Sequence, residues 1–154
     1  MTKPCLDPDP NPRPAKFVLP PGSCDCHVHV IGLPLPVVVD HMGHMNTGHG
    51  IDHTGFQALL DLVGQGVCWV KLSGNYRISA AGPLYADAQP FARALIAAGP
   101  ERMLWGSDWP HPALHSHMPN DGDLFDALDD YAPEAELKCA ILVDNPARLY
   151  GFDK

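Results

Sequence analysis

Apolar positions along the chain alternate between two periods, and the alternation predicts the architecture. Residues 23–31 (SCDCHVHVI) run apolar and polar by turns and are rich in β-branched side chains, which predicts a strand with His27 and His29 on one face. Residues 36–40 (PVVVD) form a continuous apolar run that ends at His41, the pattern of a strand buried on both faces. Residues 67–73 (VCWVKLS) predict a third strand, followed by Gly74-Asn75-Tyr76-Arg77, and residues 102–107 (RMLWGS) a fourth that ends at Asp108.

Between these runs the period changes to that of a helix. Phe56, Leu59, Leu60 and Val63 fall at i, i+3, i+4 and i+7, with Gly66 as a stop signal. Phe91, Ala94, Leu95 and Ala98 repeat the stripe, with Pro90 near its start and Gly99-Pro100 after its end. Two further helices are expected over 123–131 and 133–143, and Asn145-Pro146 reads as the cap and first position of a last short turn. The order strand, strand, helix, strand, helix, strand, helix, helix is α/β, with no internal repeat.

At 154 residues the chain is long enough for one domain that buries roughly 70% of its unfolded surface. Prolines crowd the first 22 residues, so 1–22 reads as an extended arm and 23–154 as the domain. The formal charge of −8 argues against nucleic acid and anionic membranes as partners, and leaves a small anionic substrate open. Five scattered cysteines are no disulfide framework, which favours a cytoplasmic protein. No apolar run approaches the ~18 residues of a membrane span, and the N-terminus lacks an apolar signal core.

The nine histidines cluster, and the clusters coincide with strand ends. His27 and His29, His41, Arg77 and Asp108 each stand where a strand finishes, the place where parallel α/β folds collect their chemistry. Each has an ordinary alternative, since an Asp after a strand commonly caps a helix and a single loop histidine is commonplace. Their coincidence at four strand ends favours a site. Asp108 can take a proton from attacking water. Histidine and arginine donors can stabilise an oxyanion, and Arg77 suits a forked contact with a carboxylate. If a metal binds, His27, His29, His41 and Asp108 are its natural ligands. His44, His49, His53, His115 and His117 read as solvated loop residues, and Cys24 and Cys26 as small buried hydrophobes.

The segments LPPGSCDCHVHVIG, VVVDHMGH, VKLSGNYRIS, RMLWGSDWPHP and ILVDNPARLYGF resemble the amidohydrolase-2 group of (β/α)8-barrel hydrolases, and within it the 2-pyrone-4,6-dicarboxylate lactonase branch. The resemblance implies a partial TIM barrel of about four parallel strands with flanking helices. It makes His27 and His29 the strand-one pair, His41 the histidine after the fifth or sixth strand and Asp108 the aspartate closing strand eight. It further implies Asp108 as general base on water, with His27, His29 and His41 as catalytic partners. Tyr76 and Arg77 would contact substrate, and His111 would shape the pocket mouth. The lactonase branch is thought not to need a divalent metal, whereas related amidohydrolases use zinc. A zinc-dependent decarboxylase is therefore one alternative function. The other is a non-catalytic remnant serving as a metal-binding or oligomerising module.

Length qualifies the resemblance. A full barrel takes about 250 residues, and the segments between HVHVIG and VVVDHMGH are reduced to Gly32-Leu33-Pro34-Leu35. Residues 32–36 span at most about 17 Å, while a parallel crossover takes a dozen or more residues. An internal deletion of roughly half the barrel is expected. The first strand would then pair differently from the family's, run antiparallel, or meet neighbours from another chain. Open sheet edges would invite a second copy.

Overall fold

The computed structural model describes residues 7, 9–25, 36–82 and 84–151. Three parallel strands form one sheet in the order β1-β2-β3: β1 (Val37–Val39), β2 (Cys68–Leu72) and β3 (Met103–Trp105). Val38 lies opposite Trp69 and Lys71 opposite Leu104, which fixes the register. These are three of the four expected strands. Of the fourth, residues 23–25 carry no strand and 26–31 lie outside the described residues.

The connections are helical, as parallel neighbours require. α1 (Thr54–Gly64) joins β1 to β2. It begins just before the apolar stripe because the His53 side chain caps it, Nδ1 accepting from the Gly55 N–H at 3.1 Å. A single turn, α2 (Asn75–Ile78), follows β2 directly, and α3 (Gln89–Ala98) leads to β3. Beyond β3 comes α4 (Asp121–Tyr131), capped by Asn120 through the Gly122 N–H.

The last helical segment departs from expectation. α5 (Ala135–Cys139) passes through a widened π turn at Ala140–Asp144 straight into α6 (Asn145–Tyr150). Asn145 is therefore not a cap, because its backbone is helical (φ −66°, ψ −48°). Buried at 2% exposure, its side-chain amide donates at 2.8 Å to the carbonyls of Pro100 and Met103, tying the C-terminal helix to the start of β3.

The core lies on the helix side of the sheet. Cys68, Val70, Leu72 and Met103 pack there against Phe56, Val63, Phe91, Leu95, Leu128 and Leu142. Strand alternation turns Trp69, Lys71 and Leu104 to the other side. There Trp69 and Leu104 form a small cluster covered by Cys24, Val38, Leu149 and Tyr150. Residues 9–22 contain no regular element and lie along α4. Phe17 stacks on Phe125 with ring centres 4.3 Å apart, and Arg13 pairs with Asp123 and Asp126.

Candidate active site

Each of the three strands delivers a polar residue from its carboxyl end to one place. Asp40 and His41 follow β1, Ser73 and the α2 turn follow β2, and Asp108 follows β3. The backbone is bent hard at these points: His41 (φ 48°), Asp108 (φ 63°) and His111 (φ 56°) all adopt the left-handed conformation that side chains disfavour. Gly74 is left-handed as well (φ 62°), and a Cβ there would meet His41 Nδ1 at 2.7 Å. Only glycine allows the β2 turn to close over the His41 ring.

Asp108 is the hub. Its side chain is 1% exposed, and Oδ2 accepts from both the Tyr76 hydroxyl and Arg77 Nε. Oδ1 lies 3.6 Å from His41 Nε2. Burial pushes the Asp108 carboxyl up. The hydrogen bonds from Arg77 and Tyr76, with the charges of His41 and Arg77, outweigh it and hold the group below its ordinary value. Asp108 is thus a carboxylate at neutral pH. Burial lowers His41 to about 4 despite the attraction of Asp108, so its imidazole is neutral there. Its Nδ1 is 2.8 Å from the Ser73 hydroxyl. Burial and the Asp108 carboxylate push the Tyr76 phenol well up, which keeps it a proton donor.

Arg77 and Tyr76 thus face Asp108 rather than open space. Arg77 also donates through Nη2 to the Pro112 carbonyl at 3.0 Å. His111, expected at a pocket mouth, is buried at 1% exposure. Its Nδ1 lies 3.1 Å from the Tyr76 hydroxyl and its Nε2 3.0 Å from Asp121 Oδ1. The residue is enclosed because its own N–H donates to the Asp108 carbonyl at 2.7 Å, folding 108–111 into a tight turn.

Sequence reasoning did not single out Ser73, Asp121, Asp40 or Lys71. Lys71 is 1% exposed and pairs with Asp40 at 2.8 Å, one residue before His41. A lysine inside the apolar VCWVKLS run was the available signal, since lysines are almost never fully buried unless paired. Ser107 binds Asp25 through its N–H (3.0 Å) and its hydroxyl (2.5 Å), which anchors Asp25 beside the end of β3. His27 and His29 themselves lie outside the described residues. His44 stays at the surface with its ring edge-on to His41 at 4.8 Å.

Among the described residues, no three His, Cys, Asp or Glu side chains are grouped to hold a metal ion. His41 and Asp108 supply two donors, and Asp108 Oδ2 already receives Tyr76 and Arg77. The described residues alone therefore do not fit a metal centre. Two cavities of about 410 and 430 Å3 border the arm, and neither is lined by His41, Tyr76, Arg77 or Asp108.

A buried carboxylate among His, Arg and Tyr at the carboxyl ends of parallel strands defines an α/β-barrel type of rim site. The comparisons give that class its name. The amidohydrolase family profile (Amidohydro_2) matches residues 30–152, and the chain belongs to this family. It is 44% identical over 132 residues to the 4-sulfomuconolactone hydrolase of Rhizobium radiobacter, covering 84% of this chain and 43% of that protein. It is 45% identical over 127 residues to the 2-pyrone-4,6-dicarboxylate hydrolase of Comamonas testosteroni, covering 77% and 42%. A crystal structure from Pseudomonas putida, assigned as a 2-pyrone-4,6-dicarboxylic acid hydrolase, superposes with a TM-score of 0.67 at 37% identity, over 79% of this chain and 45% of that one. The chain thus spans about two fifths of the length of these curated relatives. The three-stranded sheet is open, and the fold is a partial TIM barrel. No helix among the described residues is long and apolar enough to cross a membrane.

Proposed function

We propose that the chain carries a lactone-hydrolysing site in which Asp108 is the general base on water and the substrate is a small carboxylated lactone of the 2-pyrone-4,6-dicarboxylate kind. The observation that carries this reading is the convergence of His41, Tyr76, Arg77 and Asp108 at the ends of three adjacent parallel strands. With Oδ2 engaged by Tyr76 and Arg77, Asp108 turns Oδ1 toward His41, and a water held to one side of this pair, within reach of Oδ1, is the nucleophile. Its oxygen adds to the lactone carbonyl carbon and its proton passes to Asp108. If the Ser73 hydroxyl donates to His41 Nδ1, Nε2 carries the ring proton and can stabilise the oxyanion. Collapse breaks the ring C–O bond, and Asp108 returns the proton to the leaving oxygen.

The names of the relatives support the substrate class, because each contains a lactone and an acid group. Within the site Arg77 supplies the positive charge, and the guanidinium edge not bound to Asp108 or Pro112 is the part that can meet a substrate carboxylate. His27 and His29 belong to the proposal as further catalytic groups. This reading requires no metal; zinc held by His27, His29, His41 and Asp108 is the alternative that a metal assay decides. The experiment compares hydrolysis of 2-pyrone-4,6-dicarboxylate with that of its uncharged diester by the purified protein, with metal content measured. Hydrolysis of the dianion alone is expected. Preference for the diester would contradict the anionic substrate class, and no hydrolysis of either would contradict the activity.

A further inference from the structure

The proposed reaction uses Tyr76 and Asp108 but leaves His111 and Asp121 without a part. Both are joined to the site by a continuous chain of contacts: Asp108 Oδ2, the Tyr76 hydroxyl, His111 Nδ1, His111 Nε2 and Asp121 Oδ1. Asp121, the first residue of α4, is the one member with a substantial exposed surface, its side chain being 32% exposed.

The hydroxyl has a single proton, and two groups compete for it. The Asp108 carboxylate can only accept, and it is the nearer of the two. The proton given to Asp108 leaves the phenol oxygen held between that carboxylate and the His111 ring, and Asp121 Oδ1 holds the ring by its other nitrogen at 3.0 Å.

We infer that His111 and Asp121 are positioning residues that aim the Tyr76 hydroxyl at Asp108 Oδ2 and so leave Oδ1 as the oxygen that faces His41. Asp121 fixes the His111 ring, the ring fixes the Tyr76 phenol against Asp108, and Tyr76 fixes the carboxylate. Losing Asp121 or His111 frees the phenol, and the carboxylate gains freedom to rotate. The consequence for catalysis rests on the reading of Asp108 as the base; the chain of contacts does not.

Nitrogen-15 NMR of histidine-labelled protein at one fixed pH tests the arrangement, with His111 assigned from the signal missing in His111→Gln. Asp121→Asn is expected to shift the Nε2 resonance and Tyr76→Phe the Nδ1 resonance. His111 signals unchanged in both variants would overturn the inference, whatever the activity. In kinetics, Asp121→Asn should lower kcat by about 10- to 100-fold with KM nearly unchanged, the scale of a misplaced reacting group. Tyr76→Phe should lose as much, and combining the two should add little, because both break one chain. Independent, multiplying losses would overturn the inference. Wild-type protein that hydrolyses no lactone would overturn the proposed function alone, and the nitrogen signals would still decide the placement of Tyr76.

Discussion

The two faces of the sheet are built to different depths. On the helix side, side chains from all three strands meet α1, α3, α4 and the C-terminal helix in one continuous apolar cluster. On the opposite side, among the described residues, Trp69 and Leu104 form a small buried cluster, and Lys71 lies there in an ion pair with Asp40. A closed barrel fills that second face with layers of side chains from all its strands. The contrast teaches that, among the described residues, stability comes from the strand–helix units, while the candidate site sits at the strand ends.

Two leucines of equal burial separate the faces. Leu95→Ala on the helix side should cost about 4 kcal/mol, and Leu104→Ala about 2 kcal/mol, because a thinly covered site can collapse onto the gap. Urea unfolding measures both, and equal losses would break the comparison. At the rim, acid should act through His41. Its folded value of about 4 lies below the 6.5 of the unfolded chain, so unfolding takes up a proton between those two values. The contribution, on the order of 3 kcal/mol, is complete above about pH 6.5 and is lost as pH falls toward 4. The depressed Asp108 extends the loss to still lower pH. Unfolding free energies across that range check this, and His41→Gln should flatten the slope. A stability that rises on acidification would contradict a buried neutral imidazole.

Gly74→Ala combines a disfavoured φ with a contact against His41, and should cost about 2 kcal/mol. Loss of the wild-type acid slope in this variant would show that the turn and His41 act together. The smallest effect belongs to the arm. Phe17→Ala removes one partly exposed stacked ring and should cost about 1 kcal/mol with no change at the rim.

Much of the helix side was legible from period alone. The stripes at Phe56–Leu59–Leu60–Val63 and Phe91–Ala94–Leu95–Ala98 became α1 and α3, because burying such a stripe is what holds a helix of this length. The rim was legible in part. His41, Tyr76, Arg77 and Asp108 stand at strand ends in the sequence and meet in the structure. Their partners were hidden by backbone turns that composition does not announce. The left-handed residues at 108 and 111 fold His111 back onto Tyr76, and Asp121 joins from the next helix. Asn145 failed as a cap for a similar reason: its backbone is helical, and carbonyls 45 and 42 residues earlier accept from its side chain.

The central claim is that the strand-end cluster is a working hydrolytic site with Asp108 as its base. The direct test is the rate of 2-pyrone-4,6-dicarboxylate ring opening by the wild-type chain beside Asp108→Asn, both confirmed folded. The account predicts measurable turnover for the wild type and a loss of roughly 100- to 10,000-fold in the variant, the range a positioned acid–base group contributes. Equal rates for the two proteins, whether both at background or both active, would contradict it.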